Sequence, residues 1–190
     1  DITERKQAEQ QIRAQLAEIT FYYDNAPIGL AVLDTDLRFV RINKLLAEAN
    51  GVPTAEHIGR TVAEIVPDVA AQAQALAAEI LATGEPITDS VLSGETAARP
   101  GVIRYWREGW YPIKDDEQAL LGFSVIAQEI TERKRAEDAL RIAQQHLDEH
   151  IDNSPLAVIE FDAAFRVTRW SLGATRIFGW RRKKSSARPF

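Results

Sequence analysis

The chain has 190 residues, 45% of them hydrophobic, which is enough for one packed domain of ordinary size and part of another. Its net charge of −5 and pI near 5.3 provide no concentrated positive field, so neither nucleic acid nor an anionic membrane is expected as a partner of this fragment. The absence of cysteine excludes disulfides, thiolate metal sites, cysteine nucleophiles and cysteinyl-flavin chemistry, and it fits a reducing, cytoplasmic location.

The longest mainly apolar stretch, 119–127, is about half of the roughly 20 residues that a membrane-spanning helix needs. The chain opens on Asp1 and holds no methionine, so it reads as a piece of a longer protein.

The opening segment, Asp1-Ile2-Thr3-Glu4-Arg5-Lys6, returns as Glu129-Ile130-Thr131-Glu132-Arg133-Lys134, an offset of 128 residues. Without a gap, the same offset carries Asp24-Asn25 onto Asp152-Asn153, Pro27 onto Pro155, Asp34 onto Asp162, and Arg38 and Arg41 onto Arg166 and Arg169. It gives 14 identities over positions 1–43. One register shared by a helix, a turn and two strands marks a tandem array.

Each unit opens on a helix, with Thr3 and Thr131 as expected N-caps and the following glutamates suited to the positive end of the dipole. Ile12, Leu16, Ile19 and Tyr23 fall on one narrow stripe, and Leu140, Gln144, Leu147 and Ile151 take the equivalent places. Two readings stand: a parallel dimer seam through Ile12, Leu16, Ile19, Tyr23, Leu140 and Leu147, or a stripe packed on its own domain.

Asn25-Ala26-Pro27 ends the first helix. Strands are predicted at 28–33 and 38–42 around the turn Asp34-Thr35-Asp36, and short helices at 43–49 and 54–58, stopped by Gly51 and Gly59. A longer helix follows over 68–82, then strands over 87–92, 102–113 and 120–129, with turns at Ser93-Gly94 and Asp115-Asp116. In the last strand Leu121, Phe123, Val125 and Ala127 share the face expected to look inward. This order describes an α+β fold, an antiparallel sheet with its helices on one face.

Asn25-Ala26-Pro27-Ile28-Gly29-Leu30, His57-Ile58-Gly59-Arg60, Tyr111-Pro112 and Glu129-Ile130-Thr131-Glu132-Arg133-Lys134 together resemble the PAS family, the last being its exit motif. On that resemblance, 1–20 is the exit motif of an upstream domain with a connecting helix, 21–131 a complete PAS domain, and 132–150 a linker helix. Residues 151–190 then open a second, truncated domain, in which Trp170 and Ile177-Phe178-Gly179-Trp180 follow the pattern and Arg181-Arg182-Lys183-Lys184 departs from it.

The resemblance implies a five-stranded sheet of order 2-1-5-4-3, flanked by amphipathic signalling helices, whose concave face can enclose a small ligand. It also implies tandem placement beside other PAS domains and an output domain, commonly of a sensor histidine kinase or a cyclic-dinucleotide enzyme. Signal would pass through Glu129, Thr131 and Arg133 into the exit helix of a homodimer.

Phe39, Arg41, Trp106 and Phe123 are the expected ligand-binding residues, with Asn43 and Arg104 as further polar candidates at the rim. The aromatic set that also includes Tyr105, Trp110 and Tyr111 either fills a core or holds a non-covalent flavin. Haem is disfavoured because the long helix carries no histidine; His57 beside a helix stop reads as exposed or capping. The pair His146 and His150 reads as a solvated helix face. The cofactor is therefore unknown, with haem and covalent flavin disfavoured, and no metal site is expected.

No phosphate loop, nucleophile elbow or paired-carboxylate context is present, so a regulatory fragment rather than an enzyme is expected. The alternatives are a ligand-free structural dimerisation spacer and the regulatory region of a cyclic-dinucleotide enzyme. The basic run Arg181 to Arg188 reads as a solvated tail.

Overall fold

The structure is a computed structural model that describes residues 2–179, with side chains described for 5–179. The expected cap at Thr3, Trp180 and the basic tail lie outside the described side chains. The chain divides into two compact units, 1–131 and 132–190.

In the first unit, helix α1 (Ile2–Asp24) leads into β1 (Gly29–Asp34) and β2 (Phe39–Ile42). Four helices follow: α2 (Lys44–Asn50), α3 (Thr54–His57), α4 (Val62–Ile65) and α5 (Pro67–Thr83). The long strands β3 (Ile87–Thr96), β4 (Arg99–Lys114) and β5 (Leu120–Glu129) complete an antiparallel sheet of order β2-β1-β5-β4-β3. The fold is α+β, as the element order predicts.

Several local details differ from the sequence reading. Ser93-Gly94 lies inside β3 instead of turning, and the hairpin turns at Ala97-Ala98. Gly94 is needed because a Cβ there would stand 2.7 Å from Asp68 Cβ on the overlying α5. The extra helix α4 forms through a capping box, in which Thr61 Oγ1 accepts from Glu64 N and the Glu64 carboxylate accepts from Thr61 N.

Leu121 faces solvent although its partners by alternation, Phe123, Val125 and Ala127, are buried. The β4–β5 register slips there, pairing Ile113 with Gly122 and Lys114 with Leu120, so Leu121 is bulged out of the alternation.

A bulge likewise breaks the parity of β2: Leu33 pairs with Phe39, but Val32 pairs with Arg41. Phe39 therefore joins Leu33 on the inner face while Arg41 follows Val32 to the other. The core lies between the inner face of the sheet and α2, α4 and α5, and includes Leu33, Phe39, Val69, Ile80, Trp110 and Phe123.

The second unit contains α6 (Thr131–Asn153, beginning at the unit boundary), the hairpin β6 (Ile159–Phe161) and β7 (Val167–Trp170), and α7 (Leu172–Phe178). Hydrogen bonds also correspond across the offset of 128 residues. Asn43 Oδ1 accepts from Leu30 N and Leu46 N; 128 positions on, Ser171 Oγ accepts from Val158 N and Ala174 N. Asp34 and Asp162 each brace their turn through two backbone amides, and Leu37 and Phe165 share a left-handed φ of 59° and 58°.

Candidate functional site

The inner face of the sheet and the overlying helices enclose a cavity of about 50 Å3. Its walls include Leu33, Phe39, Leu46, Val69, Trp106 and Trp110. A cavity of roughly 150 Å3 accepts benzene. The present one holds a few waters or a very small molecule as it stands, far less than a flavin or haem requires.

Strand alternation brings Arg104, Trp106, Glu108 and Trp110 of β4 onto the inner face. Of the expected ligand-binding residues, Phe39 and Trp106 line the cavity. Phe123 is fully buried but packs against Trp110, with ring centroids 5.7 Å apart, and is not part of the wall. Arg41 does not reach it, because the β2 bulge turns it away; its guanidinium lies 4.0 Å over the Tyr23 ring. Asn43 is spent inside the fold, its amide also donating to Tyr23 O and Ile28 O.

Glu108 is the residue that sequence reasoning passed over. It lines the cavity between the two tryptophans and is the only ionisable side chain in the wall among the described residues. Trp110 Nε1 donates to Glu108 Oε2 at 2.7 Å. Burial pushes the carboxyl up to about 7, partly offset by the Trp110 bond. The available signal was its place two residues from each of Trp106 and Trp110, which puts it on their face of the strand.

His57 is wholly buried, not exposed: Nδ1 lies 3.0 Å from Pro53 O, Nε2 lies 3.0 Å from Asn50 Nδ2, and the ring stands edge-on to Phe39. The carbonyl requires a proton on Nδ1, and Nε2 then accepts from the amide. Burial lowers the pKa, which keeps the ring neutral.

Below the cavity, Arg104 joins three elements. Its Nη1 donates to Ala49 O of α2 at 2.7 Å and to Thr96 Oγ1 of β3 at 3.0 Å. Its Nε and Nη2 grip the two carboxylate oxygens of Glu129, at the end of β5. The guanidinium also lies 5.1 Å from the Trp106 ring centroid, so a cavity wall and the exit motif meet at one side chain.

Thr131 completes the network and corrects the expected cap. Its hydroxyl donates to Glu129 Oε1 at 2.8 Å and accepts from Tyr105 N at 3.0 Å, so it ties β4 to the exit segment and does not cap the first turn of α6. The Arg104 bonds hold the Glu129 carboxyl below its ordinary value. Arg133 is exposed and pairs with Glu137 one helical turn on, at 2.8 Å.

Ile12, Leu16 and Ile19 are exposed along α1, and Leu140 and Leu147 along α6. Tyr23 instead packs on its own domain, its hydroxyl donating to Leu30 O at 3.1 Å. Among the described residues no group of acidic, histidine or cysteine side chains is arranged to hold a metal ion, and no helix is long and apolar enough to cross a membrane.

The family model of the PAS fold matches residues 23–135, more than half of the chain. This protein belongs to the PAS-fold family. Among solved structures it is similar to a PAS domain from Colwellia psychrerythraea, at 16% identity and TM-score 0.53, over 62% of this chain and 98% of that one. It is similar to VqmA of Vibrio cholerae in its complex with ligand and DNA, at 23% identity and TM-score 0.52, over 61% of this chain and 51% of that one.

An RNA-binding light-oxygen-voltage receptor aligns at 15% identity and TM-score 0.57, over 68% of this chain and 37% of that one. The matched region is thus about half or less of these last two chains. Among curated proteins none matches the sequence. PAS folds are sensory and regulatory. VqmA is seen there with DNA and the light-oxygen-voltage receptor binds RNA, so net charge alone does not exclude nucleic-acid partners for a protein built on this fold.

Proposed function

We propose that this chain is the sensory and relay segment of a multidomain signal-transduction protein, a sensor histidine kinase acting as a parallel dimer. The PAS domain over 21–131 binds a small ligand and biases the exit helix. Residues 151–190 open a second PAS domain, which the shared hydrogen bonds of Asn43 and Ser171 support.

The observation that carries the reading is the Arg104 network. A ligand that moves Trp106 presses on a guanidinium that also holds Glu129, and Glu129 holds Thr131, the first residue of α6. A shift there re-aims the base of the helix, and exposed Ile12, Leu16, Leu140 and Leu147 supply the apolar stripes that two copies would bury.

The small cavity favours one rival, a ligand-free spacer that only dimerises. Native mass spectrometry of the chain purified gently from cells separates the two. The sensor reading expects a dimer with a stoichiometric small molecule that is lost on denaturation. A clean ligand-free dimer mass supports the spacer, and a monomer overturns the relay in both forms.

A further inference from the structure

A carboxyl group in an apolar cavity wall needs a reason, because even a half-buried carboxylate loses solvation there and a hydrocarbon side chain would suit the same walls better. Glu108 stands between Trp106 and Trp110, and only one of its oxygens is engaged, by Trp110 Nε1 at 2.7 Å. Oε1 accepts no protein hydrogen bond among the described residues and keeps some exposure to solvent. On the neighbouring strands Glu108 pairs with Ser90 and Ala127, neither charged, and the nearest cation in sequence, Arg107, follows the alternation to the other face, where its Nε lies 3.1 Å from Asp89 without a hydrogen bond. The helices covering the cavity contribute Leu46, Asn50, Val62, Val69 and Ala73 to its wall and no charged side chain.

We propose that the cavity takes a small, flat, weakly basic nitrogen heterocycle, which seats its ring between apolar walls and its N–H group on Glu108. This rests on the reading of the domain as a ligand sensor and names the ligand class. The carboxyl suits such a molecule in either protonation state. A neutral ligand receives the Glu108 proton on its ring nitrogen, a protonated ligand meets the carboxylate, and both routes end in one hydrogen-bonded ion pair. Direction comes from Glu108, and the aromatic faces supply burial. With burial holding the carboxyl near 7, the pair forms at neutral pH without moving a proton far in free energy.

A five- or six-membered ring needs more than about 50 Å3, and the structure shows where the space comes from. Leu46 and Trp106 line the cavity on one side and an open groove of about 450 Å3 on the other. They are the partition. Displacing them toward the groove widens the cavity and moves Trp106 against Arg104, 5.1 Å from its ring centroid.

The test uses the whole 190-residue chain with 2-aminopyridine and toluene as probes, its shape nearly the same but without nitrogen. Binding is followed by protein-observed NMR at pH 7 for the wild type and E108M. The expected result is 2-aminopyridine bound at least tenfold more tightly by the wild type than by E108M, with toluene changed less than twofold.

Carbon-13 titration of the Glu108 carboxyl in the wild type provides a readout that does not depend on the variant folding: saturating 2-aminopyridine lowers its pKa. Equal affinity of both proteins for 2-aminopyridine, or an unmoved Glu108 titration, overturns the proposal. Toluene binding without 2-aminopyridine binding overturns the Glu108 anchor but leaves an apolar sensor site. Binding of neither probe overturns the ligand class, and the native mass then decides whether a sensor remains at all.

Discussion

Arg104 and Glu129 face each other from adjacent strands with two nitrogens on two carboxylate oxygens, and the arginine is buried while the glutamate is partly open to solvent. The arginine end cannot be removed cheaply, since Ala49 O and Thr96 Oγ1 also depend on it. R104M is expected to cost about 3 kcal/mol, the range for stripping one partner from a buried ion pair, and E129Q about 2 kcal/mol. Urea unfolding of the two variants and the double variant checks this. Strictly additive losses would show that the pair is not coupled.

Thr131 and Arg133 were expected to act together, but their surroundings predict different outcomes. T131V keeps the shape and removes the bond from Tyr105 N and the bond to Glu129, at a cost of about 1–2 kcal/mol. R133A removes only an exposed pair with Glu137 and is expected to leave the unfolding midpoint unchanged. The same comparison in the full-length protein reads signalling. T131V alters output and R133A does not; the reverse order would remove Thr131 from the relay.

Stability should depend on pH with opposite signs at two glutamates. The folded-state pKa of Glu108, about 7, lies above its ordinary 4.5, so between these values the folded chain holds a proton that the unfolded chain has released. Raising the pH through that window lowers stability, by about 3 kcal/mol for a shift of this size. Glu129 is depressed, so its contribution is present above the ordinary carboxylate value and is lost as the pH falls through the folded value. Chemical denaturation from pH 4 to 8 should show wild-type stability declining above pH 5. E108Q, which keeps an acceptor for Trp110 Nε1, should be flatter and more stable than wild type at pH 8. Parallel curves would mean that Glu108 titrates normally.

The corresponding residues Asn43 and Ser171 allow the two compact units to be probed one at a time. N43A removes two accepted amides and two donated bonds from a side chain with no exposure, and is expected to cost about 3–4 kcal/mol. S171A loses two accepted amides in the other unit. Hydrogen exchange should show N43A loosening 2–131 and S171A loosening only 132–179, because the chain divides at Thr131. Loss of protection across both units from either change would show that they open together.

The sequence by itself determined the family and, apart from α4, the order of elements in the first unit, because these rest on local signals: hydrophobic period, helix stops at Gly51 and Gly84, and the exit motif. It also pointed to Phe39 and Trp106, large aromatics on buried strands, which the structure places in the cavity wall. Tertiary structure decided what counting could not. A bulge in β2 sent Arg41 away from the cavity, and a slip between β4 and β5 sent Leu121 to solvent, since one unpaired residue reverses every face beyond it. The roles of Thr131 and His57 depended on partners far away in sequence, such as Tyr105 N for Thr131 and Phe39 for His57, and that of Glu108 on the helices packed over its strand. Volume decided the rest. The same side chains can fill a core or wall a cavity, and the difference is a few ångströms of separation between a sheet and its helices, set by the packing of the whole domain and carried by no single residue.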